Sequence, residues 1–354
     1  MEKRPFGTVV SDIDKTLSDP KGRIYGGIPE VIKYILEMNP DTKFMLSTSG
    51  DIDSAQLCKD IISEELEKDN LKFNPSISAY SSSLIFDKDG NVRFNETMPK
   101  ELVDQIKEAI KQTTATYTCN WTNDENKNIP ALCEQSHRLR DVLRNPFLRL
   151  GKTLTYGRHN HPYRIPGDPY EEIQKGQIDK ALVRNIEITD FNPINKSLKE
   201  KLLPALKEIV KQHNKKYDTS FAVTAGGMGL QVGFDKADVL YEIDEADLEG
   251  GDTLTIGDGF SDVSTMVKVV LHGGTAIAIG EKADEIINGE KGVYAQLAKL
   301  KERKVPMPET LSVYTANEPK DIIGVLKNVY EGTPYSPTKK ETLGEKFDRW
   351  TTFG

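Results

Sequence analysis

Near its amino terminus the chain reads Gly7-Thr-Val-Val-Ser-Asp12-Ile-Asp14-Lys-Thr16-Leu17, a short apolar run that ends in two carboxylates. Side chains of a strand alternate between its faces, so Asp12 and Asp14 share an edge only where the strand ends and the backbone turns. This pattern predicts that both acids lie at the carboxyl end of a strand, where open α/β sheets bind their ligands. The simpler alternative is a strand end with a turn or a helix cap, because Asp is favoured in both.

Two carboxylates at such an edge can carry out phosphoryl chemistry. One carboxylate can attack phosphorus once a divalent cation offsets the repulsion between the two anions. The second acid can then protonate the leaving oxygen. The rest of the chain has to decide between this interpretation and a purely structural turn.

The composition limits the classes of protein that need to be considered. A chain of 354 residues exceeds one ordinary domain, which predicts a core with an inserted or appended domain. Hydrophobic residues make up 37% and charged residues 29%, as in soluble globular proteins. The net charge of −8 argues against binding to nucleic acid, and an anionic substrate would need a local cation.

The sequence also predicts a cytoplasmic location. The first residues run directly into the predicted strand without an apolar secretory segment, and no later apolar run is long enough to span a bilayer, so we expect no membrane association. The three cysteines, Cys58, Cys119 and Cys133, have neither a disulfide framework nor a metal-ligand spacing, which fits a reducing compartment. The oligomeric state is left open.

Helical and extended patterns alternate after the acidic turn. Apolar spacing predicts a helix over 28–38, a buried strand over 43–48, a helix over 52–66, and a hairpin with arms 77–86 and 92–94. This order is the start of a parallel sheet. The second strand is followed by Ser49-Gly50, where a hydroxyl and free N–H groups at the start of a helix can bind an anion, or simply cap that helix.

The pattern changes at about residue 97. Helices and interleaved strands over 97–234 predict a small α+β domain inserted into the sheet domain. The core then comprises 1–96 and 235–332, and a tail rich in Pro, Thr and Lys follows over 333–354.

A second acidic turn follows the insertion. A buried strand over 251–256 ends in Gly257-Asp258-Gly259-Phe-Ser-Asp262. Asp258 can complete an oxygen-ligand site for Mg²⁺, which binds few protein carboxylates and keeps water and phosphate as its other ligands. Asp262 can orient a neighbouring lysine or a metal-bound water. Lys236 is a candidate cation for the phosphoryl oxygens, and Lys180 is a weaker alternative because it lies farther from this turn.

Together, the segments at Asp12-Ile-Asp14-Lys-Thr16, Ser49-Gly50, Lys236 and Gly257-Asp258-Gly-Phe-Ser-Asp262 resemble the four motifs of the haloacid dehalogenase superfamily. The large insertion is similar to the α/β cap of its sugar-phosphatase branch, which includes trehalose-phosphate, sucrose-phosphate and Cof-like phosphatases and the phosphomannomutases. The resemblance implies an α/β fold with a Rossmann-like parallel-sheet core and an inserted α+β cap.

The resemblance also implies roles for individual residues. Asp12 would be the nucleophile that forms an aspartyl-phosphate, and Asp14 would be the acid and then the base. Mg²⁺ would be held by the Asp12 carboxylate, the Asp14 backbone carbonyl and Asp258, while Ser49, Gly50 and Lys236 would bind the phosphoryl group. The expected partner is a small phosphorylated metabolite.

The chain departs from the family pattern at three points. Lys15 stands where Gly is common, and Asp51 stands where related sugar phosphatases usually carry Arg. The second motif offers three consecutive hydroxyls, so Thr48 is an alternative to Ser49. A Mg²⁺-dependent phosphomonoesterase is the expected function, with a phosphohexose mutase or a non-catalytic sugar-phosphate-binding relative as alternatives.

Overall fold

The computed structural model describes residues 6–19, 23–50, 52–79, 81–111, 116–122, 182–189, 196–225, 229–243 and 248–331. Asp51, Cys133, Lys180 and the predicted tail lie outside these ranges. The strands, in chain order, are β1 (Thr8–Asp12), β2 (Lys43–Ser47), β3 (Ser76–Ala79), β4 (Leu84–Phe86), β5 (Val92–Asn95), β6 (Thr116–Thr122), β7 (Leu182–Thr189), β8 (Phe221–Ala225), β9 (Gly229–Phe234), β10 (Thr253–Gly257), β11 (Thr275–Ile279) and β12 (Ser312–Ala316). The helices are α1 (Ile28–Met38), α2 (Ile52–Glu67), α3 (Lys100–Lys111), α4 (Lys196–Tyr217), α5 (Val263–Leu271), α6 (Ala283–Asn288), α7 (Val293–Glu302) and α8 (Pro319–Glu331), and a 3₁₀ helix covers Lys236–Glu242.

The larger sheet has eight strands within the described residues, in the order β12-β11-β10-β1-β2-β3-β4-β5. The strands from β12 to β3 are parallel, and β4 and β5 extend the sheet in antiparallel fashion. All five residues of β1, β10 and β11 are buried, as expected for central strands covered on both faces. This is the α/β, Rossmann-like core that the sequence predicts.

Helix α1 shows how the sequence produces the core. Pro29 occupies its first turn, where a missing N–H costs no intrahelical hydrogen bond, and Ile28, Val31, Ile32, Ile35 and Leu36 recur at helical spacing. These five side chains are buried against the sheet. Burial of each such aliphatic side chain contributes about 1.5–3 kcal/mol.

The predicted hairpin is more complex than its sequence indicates. We expected 77–86 to be one arm, but β3 ends at Ala79 and turns back into β4, which then pairs with β5. The reversal passes through Ser81 and Ser82, whose φ angles of 54° and 67° are left-handed. A run of serines lacks the Gly or Asn that usually marks such a turn, so the sequence pattern did not reveal it.

A second sheet, in the order β6-β7-β9-β8, is antiparallel in the described residues. It comes from the segment between β5 and β10, and α3 and α4 contribute to its apolar cluster. The exact limits of the inserted domain stay a prediction. Within the part of the chain that the structure describes, no helix combines the length and apolarity needed to cross a membrane.

Candidate active site

The two acidic turns lie at the same edge of the larger sheet. Asp12 is the last residue of β1, and Asp258 directly follows β10. These strands are parallel neighbours, with Ser11 in register with Ile256. Because parallel neighbours in this register end at the same level, their acidic turns meet beyond the carboxyl ends of the strands.

Asp12 is held through both of its carboxylate oxygens. Its side chain is buried, and the Lys236 ammonium contacts Oδ1. Thr16 Oγ1 donates a hydrogen bond to Oδ2 at 3.1 Å. The carboxylate is therefore fixed in orientation by one partner on each oxygen.

Lys236 joins the two acidic turns. Its Nζ also donates to Asp262 Oδ1 at 2.6 Å, and all three charged side chains are buried. Asp262 Oδ2 accepts a hydrogen bond from the Gly259 N–H at 3.0 Å. Asp262 thus orients the lysine and closes the tight turn that carries Asp258.

The backbone around Lys236 is fixed from both sides. Asp235 caps the 3₁₀ helix by accepting from the Ala237 N–H at 2.9 Å, and Ser264 Oγ donates to the same oxygen of Asp235 at 2.7 Å. Ser82 Oγ donates to the Lys236 carbonyl at 3.1 Å. Ser82, in the turn between β3 and β4, therefore holds the backbone of Lys236, although the two residues are far apart in the sequence.

Three carboxylates form a potential cation site. One oxygen from each of Asp12, Asp258 and Asp262 lies within 4.8 Å of the others. With Lys236 protonated, three carboxylates and one ammonium carry a net charge of −2, which a divalent cation neutralises. Carboxylate oxygens are the ligands that Mg²⁺ prefers, so the residues present fit such an ion.

The pKa shifts of these side chains show the same need for positive charge. Burial, together with the charges of Asp262 and Asp258, raises the pKa of Asp12, and Lys236 opposes this. Burial and the charge of Asp262 raise the pKa of Asp258 from 3.8 to about 6. Burial alone would lower the pKa of Lys236, but Asp12 and Asp262 raise it, so the lysine stays protonated.

Asp14 lies beside the second motif, at the exposed side of the cluster. Thr48 Oγ1 donates to Asp14 Oδ2 at 3.2 Å and accepts from the Gly50 N–H at 2.9 Å. A Cβ added to Gly50 would stand 3.9 Å from the same Asp14 oxygen, so this loop closely approaches Asp14. Ser49 is half-buried, whereas Thr48 is buried.

The structure brings together Asp12, Asp258, Asp262 and Lys236, and it puts Asp14 and Gly50 next to them at the same edge. Sequence reasoning did not assign a role to Thr16 or select Thr48. The signal for Thr16 was its spacing of four residues from Asp12 in a tight turn. For Thr48, the run of three hydroxyls gave no means of choosing among them.

Two buried acids and the half-buried Asp258, with a lysine beside them, lie at the carboxyl edge of a parallel sheet, where open α/β folds bind their ligands. A family model for haloacid dehalogenase-like hydrolases matches residues 9–296. The chain therefore belongs to this family of hydrolases, which agrees with the resemblance seen in the motifs. A comparison with curated proteins found no match.

Solved structures share the fold at low sequence identity. BT1666 from Bacteroides thetaiotaomicron, described as a phosphatase of the haloalkanoate enzyme superfamily, is 12% identical, with a TM-score of 0.51 and coverage of 94% of this chain and 97% of that one. A haloacid dehalogenase-like hydrolase from B. subtilis is 14% identical, with a TM-score of 0.51 and coverage of 91% and 98%. BT4131, described as a subclass IIB sugar phosphatase, is 14% identical, with a TM-score of 0.50 and coverage of 92% and 99%.

Proposed function

We propose that this enzyme is a Mg²⁺-dependent phosphomonoesterase that hydrolyses a phosphorylated sugar or a similar small metabolite. The observation that carries the proposal is the environment of Asp12, whose two oxygens are held by Lys236 and Thr16 beside the carboxylates of Asp258 and Asp262. The description of BT4131 as a sugar phosphatase supports the substrate class.

In the proposed reaction, one oxygen of Asp12 attacks phosphorus and the bond from phosphorus to the leaving oxygen breaks. Asp14 gives its proton to that oxygen, so the alcohol leaves neutral and Asp12 carries the phosphoryl group. Asp14, now ionised, takes a proton from water as the water attacks phosphorus. Inorganic phosphate leaves, Asp12 is regenerated, and Asp14 is protonated again.

Lys236 would neutralise charge on the transferring phosphoryl group while Asp262 holds it in place, because phosphoryl transfer depends mainly on positioning and charge neutralisation. Ser49 would bind the phosphoryl oxygens at the mouth of the site, whereas the Gly50 N–H is directed to Thr48 Oγ1. Mg²⁺, held by Asp12, Asp258 and the Asp14 carbonyl, would offset the repulsion between the attacking carboxylate and the anionic phosphate. The cytoplasmic location stays a prediction from the sequence.

The first experiment measures phosphate release from p-nitrophenyl phosphate and from a panel of sugar phosphates, with Mg²⁺ or with EDTA. We expect turnover that requires Mg²⁺ and that disappears in Asp12→Asn. Asp69→Asn is a matched control, because Asp69 also pairs with a lysine, Lys33, at 2.8 Å, but on the surface and away from the site. That control should keep wild-type activity.

Two outcomes would contradict the proposal. Turnover retained in a folded Asp12→Asn variant would exclude Asp12 as the nucleophile. Interconversion of hexose 1-phosphate and 6-phosphate with a bisphosphate activator, without release of phosphate, would identify a mutase instead.

A further inference from the structure

The inserted sheet reaches into the candidate active site through two amide side chains. Asn185 Nδ2 on β7 and Gln231 Nε2 on β9 both donate to the backbone carbonyl of Ser49, at 3.3 and 3.2 Å. Asn185 is fully buried and Gln231 is half-buried. Two donors from separate strands on one carbonyl oxygen fix the direction of that peptide group.

This peptide group begins a continuous path of hydrogen bonds to Asp14. The Ser49 carbonyl and the Gly50 N–H belong to one planar peptide unit and point in opposite directions. The Gly50 N–H donates to Thr48 Oγ1 at 2.9 Å, and Thr48 Oγ1 donates to Asp14 Oδ2 at 3.2 Å. All donors therefore point the same way, and such chains polarise and strengthen their members.

The donating strands are themselves anchored and closely packed. A Cβ on Gly233 would stand 2.9 Å from Asn185 Cβ, so the absence of a side chain at Gly233 leaves room for Asn185. The neighbouring Arg184, fully buried, donates from Nη1 to the Glu96 carbonyl at 2.9 Å. The Arg184 bond thus ties β7, which carries Asn185, to the residue that follows β5, and β9, which carries Gln231, pairs with β7.

We propose that Asn185 and Gln231 are positioning residues that orient the carboxyl group of Asp14 through the Ser49–Gly50 peptide and Thr48. This inference rests on the proposed function, in which Asp14 is the general acid. The hydroxyl of Thr48 donates a hydrogen bond to Asp14 Oδ2. Asp14 Oδ1 is then the oxygen that carries the proton and gives it to the leaving group.

The dependence of the rate on the leaving group separates this role from a structural one. Phenyl phosphate needs a proton from Asp14, because its phenol has a pKa of about 10. The p-nitrophenolate anion leaves without protonation. For Gln231→Leu we expect kcat/KM on phenyl phosphate to fall about tenfold or more, a part of the roughly 10²–10⁴-fold that a general acid contributes. On p-nitrophenyl phosphate we expect kcat/KM to change by less than about threefold. The ratio kcat/KM reports only the steps up to loss of the leaving group, so the later role of Asp14 as a base, which is common to both substrates, does not enter it.

Three further variants test the path itself. Gln296→Leu is the matched control, because Gln296 Nε2 donates to the Lys291 carbonyl at 3.3 Å, far from the site, and it should behave as wild type on both substrates. Ser81→Ala removes the other bond of Gln231, from Ser81 Oγ to Oε1 at 3.3 Å, and should leave the substrate ratio unchanged. Thr48→Val interrupts the path downstream, so it should give the same selective loss, and combining it with Gln231→Leu should add little.

Equal losses on both substrates, or additive losses in the double variant, would overturn the proposal, since either result would indicate a structural role. A crystal structure of Gln231→Leu gives a readout that does not depend on activity: the Asp14 carboxyl should rotate away from its wild-type position, and an unmoved Asp14 refutes the path. Failure of the proposed function would look different, because wild type and Asp12→Asn would then be equally inactive on both esters.

Discussion

Replacing Gly257 by Ala directly tests the packing of the second acidic turn. Gly257 is the last residue of β10, and an added Cβ would stand 2.5 Å from Asp262 Cγ and Oδ2 and 2.6 Å from Asp262 Cβ. Asp262 has a short side chain that is buried and bonded at both oxygens. It cannot move away from the new methyl group and keep its bonds to Lys236 and to the Gly259 N–H.

Two contributions set the size of the effect. Overpacking in a closely packed interior costs about 1–3 kcal/mol. Relief of the overlap by moving Asp262 loses a hydrogen bond between charged groups, which contributes about 1.5–3 kcal/mol. The contributions overlap, so we expect a loss of about 3 kcal/mol in the free energy of unfolding. At roughly 2 °C for each kcal/mol in a chain of this size, the Tm falls by about 6 °C.

Activity should fall together with stability, because Lys236 loses one of its two carboxylate partners. A displacement that costs about 1.4 kcal/mol in the transition state lowers kcat about tenfold. The assay combines thermal unfolding in EDTA with kcat on p-nitrophenyl phosphate at saturating Mg²⁺. Gly259→Ala is the control: its Cβ would meet Ser261 Oγ at 3.2 Å and Asp262 Oδ2 at 3.5 Å, and a small rotation of the serine relieves the contact.

We expect the control to lose less than about 1 kcal/mol, as is usual for substitutions that create no severe overlap. A Gly257→Ala variant with the Tm and kcat of the wild type would refute the packing of Asp262 against β10. If Gly257→Ala and Gly259→Ala lost Tm and kcat equally, the overlap with Asp262 would not be the cause, since any methyl group added to the turn would then have the same effect.

Three further predictions concern the charged cluster. Lys236→Met leaves Asp12 and Asp262 buried without a cation, so the free energy of unfolding in EDTA should fall by about 3–5 kcal/mol in urea titrations; unchanged stability would show that the buried ion pairs do not form. Thr16→Val keeps the shape but removes the donor to Asp12 Oδ2, so kcat should fall about tenfold, corresponding to about 1.4 kcal/mol in the transition state. Loss of this hydrogen bond to a buried carboxylate should also lower the Tm by about 3–6 °C, and a kcat equal to wild type would remove Thr16 from the site. The pKa of Asp258 is raised from 3.8 to about 6, so folded, ion-free protein retains a proton that the unfolded chain has lost. Its contribution to the free energy of unfolding in EDTA therefore decreases as pH rises from about 4 to about 6, and Asp258→Asn should remove this decrease.

The positions of the main acids follow from the sequence. Asp12 ends one buried strand and Asp258 directly follows another, and parallel strands bring their carboxyl ends to one edge. The apolar pattern of the two strands is therefore enough to predict that Asp12 and Asp258 lie near each other. The same kind of pattern predicts α1 and the parallel strands of the core. The turn at Ser81 and Ser82 was missed because its left-handed backbone is stabilised by distant contacts, including the bond from Ser82 Oγ to the Lys236 carbonyl.

Local patterns of apolar residues and turns were enough to predict the class of fold, the resemblance to the family, and the acids and lysine of the candidate site. The folded chain was needed to show that Thr48 contacts Asp14, that Thr16 donates to Asp12, and that Asn185 and Gln231 reach the Ser49 carbonyl. The two amides lie 136 and 182 residues from Ser49 in the chain. No local pattern encodes such contacts, since they join strands of one sheet to a residue that follows a strand of the other sheet, far apart in the sequence.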